Sequence, residues 1–231
     1  MEQIQVDLNR EKFDFNAQML NYLVKIACDP EIQFSEINHW HSSHPYYRLN
    51  NYRGIQISQV LGIYLFFNKD YLSQFDNIIE IGTYNGGLSS YIFDNKKPGA
   101  YFISYDIDPS LNLTKREDIR FFIGDCFDPL PSFKISGLID KPGRILIICD
   151  GGNKTKEFNT FSKHLKKGDI IILHDYKQDQ ESWDEYTTYW QWPYGFETQW
   201  DEIKDAVSKN GLEPFDNKRA NFFLWGSFIK K

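Results

Sequence analysis

From residue 76 onward the sequence predicts an α/β fold, a mostly parallel sheet with helices on both faces. Three observations predict it. Short Ile-rich runs recur at Asn77–Ile81, Tyr101–Tyr105, Ile119–Ile123, Arg144–Cys149 and Asp169–Leu173. Continuous apolar runs of this length are what strands buried on both faces require. Gly and Asp mark their ends and helical or polar stretches separate them, the pattern of parallel strands joined by crossovers.

The other elements follow in chain order. Phe15–Ile26 and Ile55–Phe67 carry apolar residues at helical spacing (Leu20, Leu23 and Val24; Ile57, Val60, Leu61 and Leu65), so each predicts a helix. Within the sheet region Gly87–Asn95 and Lys156–Lys166 predict helices, and Pro109–Lys115 does so less regularly. Gln199–Lys209 predicts a further helix, closed by Asn210-Gly211 as a C-cap. Asn221–Ile229 predicts the last strand. The chain thus divides into an N-terminal helical, lid-like extension (1–55) and a main domain (56–231).

Composition narrows the function classes. The chain has 231 residues, enough for one domain with a sizeable core or one domain plus an extension. Its 26 basic and 32 acidic residues leave a net charge of −6, which argues against a large phosphate-binding face and a nucleic-acid partner. Cys28, Cys126 and Cys149 are isolated in sequence and form no metal-type pair, so a reducing compartment is expected. Met1–Arg10 lacks the apolar centre of a signal peptide, and no apolar run approaches the roughly 18 residues of a membrane span. The expectation is a cytoplasmic protein without a membrane partner.

Ligands of open α/β sheets bind at the carboxyl ends of the strands, where strand order reverses. The first such loop reads Glu80-Ile81-Gly82-Thr83-Tyr84-Asn85-Gly86-Gly87. Its glycines permit a tight turn and close ligand approach, and the next helix start presents backbone N–H groups. A dinucleotide site places a glycine two residues after Gly82, where the pyrophosphate passes. Here that residue is Tyr84, which obstructs phosphates. S-adenosylmethionine has no phosphate, and an acidic strand residue such as Glu80 suits its amino group and sulfonium.

The next two strand ends continue the pattern. Asp106 is placed to accept both hydroxyls of a ribose. Asp125, followed by Cys126, is placed to accept from an adenine amino group. Glu80, Gly82, Thr83, Tyr84, Asn85, Gly86, Asp106, Asp125 and Cys126 are therefore the candidate cofactor-binding residues. Each feature alone has a plainer reading, a turn or a helix cap. The ordered triple is what points to S-adenosylmethionine.

A second constellation lies at Asp150 and at His174-Asp175. If the two strands are neighbours, about 4.8 Å apart, their carboxylates repel unless a cation or proton intervenes. Oxygen ligands suit magnesium, so a divalent cation held by Asp150, Asp175 and His174 is the expectation. Such an ion lowers the pKa of a bound hydroxyl. His174 has three open roles: third metal ligand, general base, or hydrogen-bonded strand-end histidine. Alternation along a strand sends residues 174 and 175 to opposite faces unless the strand has already ended.

These residues resemble the class I S-adenosylmethionine methyltransferases, and within them the cephalosporin hydroxylase-like and rhamnosyl O-methyltransferase-like group, with macrocin O-methyltransferase as a relative. The resemblance rests on Tyr52-Arg53-Gly54-Ile55-Gln56-Ile57-Ser58-Gln59 leading into the glycine loop, then Asp106, Gly124-Asp125, Asp150-Gly151 and Gly168–Asp175. It covers roughly residues 50–176. It implies a Rossmann-like seven-stranded sheet with the last strand antiparallel. It also implies a magnesium ion held by an Asp after strand four and an acidic pair after strand five. Asp150 and Asp175 match, and His174 replaces one acid. Where such relatives carry an Asp or His base, this chain has Asn153, so the proton falls to His174 or to the metal.

The expected function is an S-adenosylmethionine-dependent O-methyltransferase acting on a hydroxyl of a small molecule, sugar-like or aromatic, with Asp150, His174 and Asp175 as catalytic residues. Two other classes stay open: a non-catalytic S-adenosylmethionine-binding protein, and a nicotinamide-dependent oxidoreductase, which Tyr84 disfavours. The aromatic run Trp183–Phe196 reads as a substrate wall, a subunit interface of a homo-oligomer, or core. His39, Trp40, His41 and His44 read as a lid or polar surface loop, with metal binding the remaining alternative.

Overall fold

The computed structural model describes residues 32–34, 50–53, 55–57, 67–179, 197–216, 220 and 224–231. The helix expected over Phe15–Ile26, the histidine segment 39–44 and the aromatic run Trp183–Phe196 lie outside them. The described residues open with three short strands, β1 (Ile32–Phe34), β2 (Asn50–Tyr52) and β3 (Ile55–Ile57), in an antiparallel sheet. This corrects the helix expected to start at Ile55. Ile55 and Ile57 flank Gln56 at strand spacing, and Arg53 at φ +51° turns β2 back onto β3. Tyr52 and Ile57 are buried in the same apolar cluster as the main sheet. Residues 58–66 are outside the described set.

The described chain continues with α1 (Lys69–Leu72), β4 (Asn77–Ile81), α2 (Gly87–Asn95), β5 (Tyr101–Asp106), β6 (Arg120–Ile123), α3 (Pro129–Ile139), β7 (Ile145–Cys149), α4 (Lys154–Phe161) and β8 (Ile170–Leu173). It ends with β9 (Tyr176–Lys177), β10 (Thr198–Gln199), α5 (Trp200–Lys209), β11 (Leu212–Pro214) and β12 (Gly226–Lys230). Seven strands form one sheet in the order β11-β12-β8-β7-β4-β5-β6. Strands β8, β7, β4, β5 and β6 are parallel, and β12 is antiparallel to both of its neighbours. This is the expected seven-stranded α/β sheet with the last strand antiparallel.

Period-two alternation decides which residue meets which layer. Ile78, Leu146, Ile148, Ile170 and Ile172 face one layer with Leu72 of α1 and Tyr91 and Ile92 of α2. Ile79, Ile81, Ile147, Cys149, Ile171 and Leu173 face the other with Ile135 of α3, Phe158 of α4 and Ile203 of α5. Both faces are covered, which is why the strands read as unbroken apolar runs.

Several boundaries differ from the sequence reading. Pro109–Leu111 is a single 3-10 turn, with the Asp108 side chain accepting from the Ser110 N–H. Helix α4 starts at Lys154 and ends at Phe161, passing into a 3-10 turn at Ser162–His164. Helix α3 was not anticipated: Pro131 and Gly137 interrupt its pattern, although Pro129 sits in the first turn, where proline is tolerated. The last strand starts at Gly226 rather than at Asn221. Cys126 and Cys149 are buried and free. No helix among the described residues is long and apolar enough to cross a membrane.

From β4 the chain builds outward through β5 and β6, then returns to the other side of β4 to form β7. The reversal point therefore lies between β4 and β7. There the Asp150 N–H donates to the Ile81 carbonyl at 2.8 Å.

Candidate active site

A cleft of about 370 Å³ opens at the carboxyl ends of β4, β5, β6 and β7. Each strand end supplies part of its wall: Gly82 and Tyr84 after β4, Asp106 and Ile107 after β5, Asp125 and Cys126 after β6, and Asp150 after β7. Glu157, from α4, lines it as well. No Lys or Arg among the described residues does.

The glycine at position 82 is required by contact. Its φ is +96°, and an added Cβ would lie 2.1 Å from the Asp150 carbonyl oxygen. The turn after β4 is thereby pressed directly against the turn after β7. Gly86, at φ +81°, leads the turn into α2 and donates its N–H to the Thr83 carbonyl at 2.8 Å. Tyr84 has φ +46° and stays exposed, its side chain at the cleft wall.

Glu80 does not reach the cleft. It lies on the strand face that meets α2 and is fully buried. Its Oε2 accepts from the Ser104 hydroxyl at 2.6 Å and from the Ser89 hydroxyl, while Oε1 has no partner among the described residues. Thr83 joins the same network, its Oγ1 2.5 Å from Ser104 Oγ. Burial pushes the Glu80 carboxyl up to about 8, against the two serine hydrogen bonds. The residue expected to contact the cofactor amino group is thus a neutral strut behind the loop near pH 7.

Asp106 and Asp125 sit where strand order predicted. Asp106 Oδ2 accepts from the Tyr84 N–H at 2.7 Å and Oδ1 from the Asp108 N–H at 3.0 Å. These bonds lock the carboxylate against the glycine loop, and each oxygen keeps a second lone pair. Asp125 Oδ1 accepts from the Phe127 N–H at 2.9 Å, and Cys126 is buried beside it. Burial raises the Cys126 thiol to about 12, so it is no thiolate. Asn85 contributes its carbonyl to the Leu113 N–H at 3.2 Å. With Thr83 and Gly86 it shapes the turn into α2 and leaves the cleft wall to its neighbours.

Strands β7 and β8 are adjacent, and Asp150, His174 and Asp175 converge at their ends. Strand β8 stops at Leu173, and Asp175 takes φ +52°, which breaks the alternation. His174 Nδ1 then lies 3.0 Å from Asp150 Oδ1 and 3.6 Å from Asp175 Oδ2. The ring packs on Trp225 with centroids 4.4 Å apart, and Nε2 is buried with no hydrogen-bond partner among the described residues. Burial pulls the imidazole pKa down, but the carboxylates of Asp175 and Asp150 prevail and raise it above 6.5. Burial would likewise raise Asp150, but His174 and Lys154 hold it below the usual carboxylate range.

Lys154 was not picked out by sequence. Its side chain is 6% exposed, and its Nζ lies 3.8 Å from Asp150 Oδ1, 3.5 Å from Asp175 Oδ2 and 3.1 Å from the Gly151 carbonyl. It also pairs with Glu197 Oε2. Burial disfavours its charge, yet the carboxylates more than offset this and raise its pKa. Glu157 was missed too. It accepts from the Gly151 and Asn153 N–H groups, both at 3.3 Å, and burial raises it to about 7. Asn153 is the N-cap of α4, accepting from the Lys156 N–H at 2.9 Å. The sequence offers only weak signals here, because its apolar spacing predicts a helix only from Lys156 and Glu197 follows a long aromatic stretch.

The chain matches no sequence-family model and no curated protein. Among solved structures it is similar to CmcI with magnesium and S-adenosylmethionine, at 21% identity and a TM-score of 0.55, over 98% of this chain and 88% of that one. It is similar to an apo structure of CmcI at 18% identity and a TM-score of 0.54, over 97% and 99% of the two chains. A putative caffeoyl-CoA O-methyltransferase from Staphylococcus aureus gives 14% identity and a TM-score of 0.50, over 77% and 86%. At these identities the likeness establishes the architecture: the chain has the fold of S-adenosylmethionine-dependent methyltransferases.

Proposed function

We propose that this chain is an S-adenosylmethionine-dependent O-methyltransferase acting on a hydroxyl of a small molecule, of the sugar or sugar-containing class. The observation that carries the methyl donor is the charge of the cleft. Asp106, Asp125, Asp150 and Glu157 line it, with no basic residue among the described ones. A pyrophosphate would meet carboxyl groups and no basic partner among the described residues, whereas the sulfonium and ammonium of S-adenosylmethionine meet complementary charge. This disfavours a nicotinamide dinucleotide more strongly than Tyr84 does alone. One structural relative is described with S-adenosylmethionine itself, and another as an O-methyltransferase. The sugar class is supported by the resemblance of the strand-end residues to the rhamnosyl O-methyltransferase-like group.

When bound, S-adenosylmethionine supplies an electrophilic methyl group. The chain's own residues position and deprotonate. In this reading Asp106 holds the ribose hydroxyls, and Asp125 the adenine edge. Asp150 accepts the His174 Nδ1–H and so fixes the tautomer in which Nε2 carries a free lone pair. Nε2 is buried behind the cleft wall with no partner among the described residues, so in this reading it takes the acceptor proton through one bridging water rather than by direct contact. His174 takes the proton as the oxygen bonds to the methyl carbon and the sulfur–carbon bond breaks. Asn153, committed to its helix cap, takes no part.

Calorimetry tests the first half. S-adenosylhomocysteine is expected to bind and NAD not to, and Asp106→Asn is expected to weaken binding about tenfold or more by removing a charged acceptor. Binding of NAD with no binding of S-adenosylhomocysteine overturns the reading. The second half is tested with labelled S-adenosylmethionine and a panel of sugar hydroxyl acceptors. Tight S-adenosylhomocysteine binding without transfer to any acceptor favours the non-catalytic alternative.

A further inference from the structure

The expected divalent ion does not fit the donor set as it stands, and the reason is a side chain. We infer that the Lys154 ammonium is the resident cation of the Asp150–Asp175 corner, standing in the place a divalent metal ion would fill. Oxygens from four residues surround Nζ: Asp150 Oδ1, Asp175 Oδ2, Glu197 Oε2 and the Gly151 carbonyl. Carboxylates plus a backbone carbonyl are the ligand types that magnesium, manganese and calcium select. An ion at their centre would need contacts of about 2.0–2.6 Å, and a lysine nitrogen already holds that centre.

The lysine is built in. Lys154 is the first residue of α4, immediately after the Asn153 cap, so its backbone is fixed. Its side chain is 6% exposed, which leaves little solvent into which it can withdraw. His174 Nδ1 takes up further acceptor capacity of Asp150 and stands 3.6 Å from Asp175 Oδ2. With the ammonium in place, no three His, Cys, Asp or Glu side chains among the described residues stand together closely enough to hold a metal ion. Asp150, Asp175 and Glu197 bring the like charges that demand a cation. The chain supplies that cation covalently, at a fixed single charge and independent of metal supply.

This deepens the proposed function by making its acceptor corner metal-independent, but its test reads metal occupancy rather than methyl transfer. The probe is Mn2+ alone, titrated into the full-length chain and followed by the loss of the free-ion electron paramagnetic resonance signal. Wild type is expected to take up no stoichiometric Mn2+, and chelators and Mn2+ are expected to leave its melting temperature unchanged. Lys154→Ala vacates the centre while keeping the oxygens, and is expected to bind one Mn2+ per chain with a raised melting temperature. Adding Asp175→Asn is expected to abolish that binding.

Stoichiometric Mn2+ binding by wild type that is lost in Asp175→Asn overturns the inference. A folded Lys154→Ala chain that binds no Mn2+ overturns it as well. If Lys154→Ala folds only when Mn2+ is added, the inference is supported. If it folds in neither condition, the wild-type titration decides in the same two directions. The methyl-donor reading stands or falls separately, on S-adenosylhomocysteine binding.

Discussion

His174 Nδ1 and Asp150 Oδ1 lie 3.0 Å apart across the ends of two neighbouring parallel strands. The bond joins a residue of the cleft wall to one standing just behind it. It orients the imidazole against Trp225, with Nε2 buried and without a partner among the described residues.

His174→Ala is therefore expected to lower kcat for methyl transfer by about 10²–10⁴-fold, the usual weight of a general base. S-adenosylhomocysteine affinity should stay near wild type, because His174 does not line the cleft. The pH profile gives a sharper readout. The neutral imidazole is the active form, and its pKa is raised above 6.5 by Asp175 and Asp150 against burial. The rate should rise with pH through a value above 6.5, and Asp150→Asn should move that limb to lower pH. A pH-independent rate, or a limb that Asp150→Asn leaves in place, removes His174 from the role.

Chelator treatment provides the kinetic counterpart of the Lys154 inference. With the ammonium already among Asp150, Asp175 and Glu197, prolonged dialysis against EDTA is expected to leave the methylation rate unchanged. Added Mg2+ should change it by less than about twofold. A rate that collapses with EDTA and returns with Mg2+ counts against the lysine as the working cation.

Gly82 can be read as a steric requirement. A Cβ there would sit 2.1 Å from the Asp150 carbonyl oxygen, on a backbone at φ +96°. Neither the loop nor strand β7 can yield without moving Asp150. Gly82→Ala is expected to destabilise the chain by ~2 kcal/mol or more, the combined cost of a left-handed backbone and an overpacked contact. Urea unfolding measures it. The same substitution at Gly152, where an added Cβ meets nothing within 4 Å, is the control and should shift stability far less.

The sheet was legible because burial on both faces leaves a simple signature. Five strands appear within a residue or so of their expected limits, and α2 matches its expected limits, Gly87–Asn95. Helix α3 was hidden because Pro131 and Gly137 disturb the apolar spacing, although neither prevents a helix packed by Ile135 and Ile139. Helix α4 begins two residues before its predicted start because its opening turn, Lys154-Thr155, is polar and carries no apolar spacing. Strand adjacency made the Asp150, His174 and Asp175 corner foreseeable. Its cation was not, because Lys154 and Glu197 meet only through tertiary packing. Glu80 shows the opposite failure: the motif fixes its position on the strand, but only the fold shows that it turns toward Ser89 and Ser104 and away from the cleft.

That burial gives a prediction about stability. The Glu80 carboxyl is raised from 4.5 to about 8, chiefly by desolvation. A carboxyl whose pKa is raised by folding holds its proton more tightly in the folded chain. Its contribution is complete below the unfolded value and is lost as pH rises toward the folded one. Between about pH 5 and 8 this single group should lower the unfolding free energy by up to about 1.4 kcal/mol per pH unit. Glu80→Gln is neutral at every pH and can still accept from the two serine hydroxyls. Its stability should therefore fall less between pH 6 and 9 than that of wild type, and the two curves should converge toward acid. Denaturant titrations at a series of pH values measure both slopes. Parallel curves would mean that Glu80 is ionised in the fold, and with it that the network behind the glycine loop carries a buried charge.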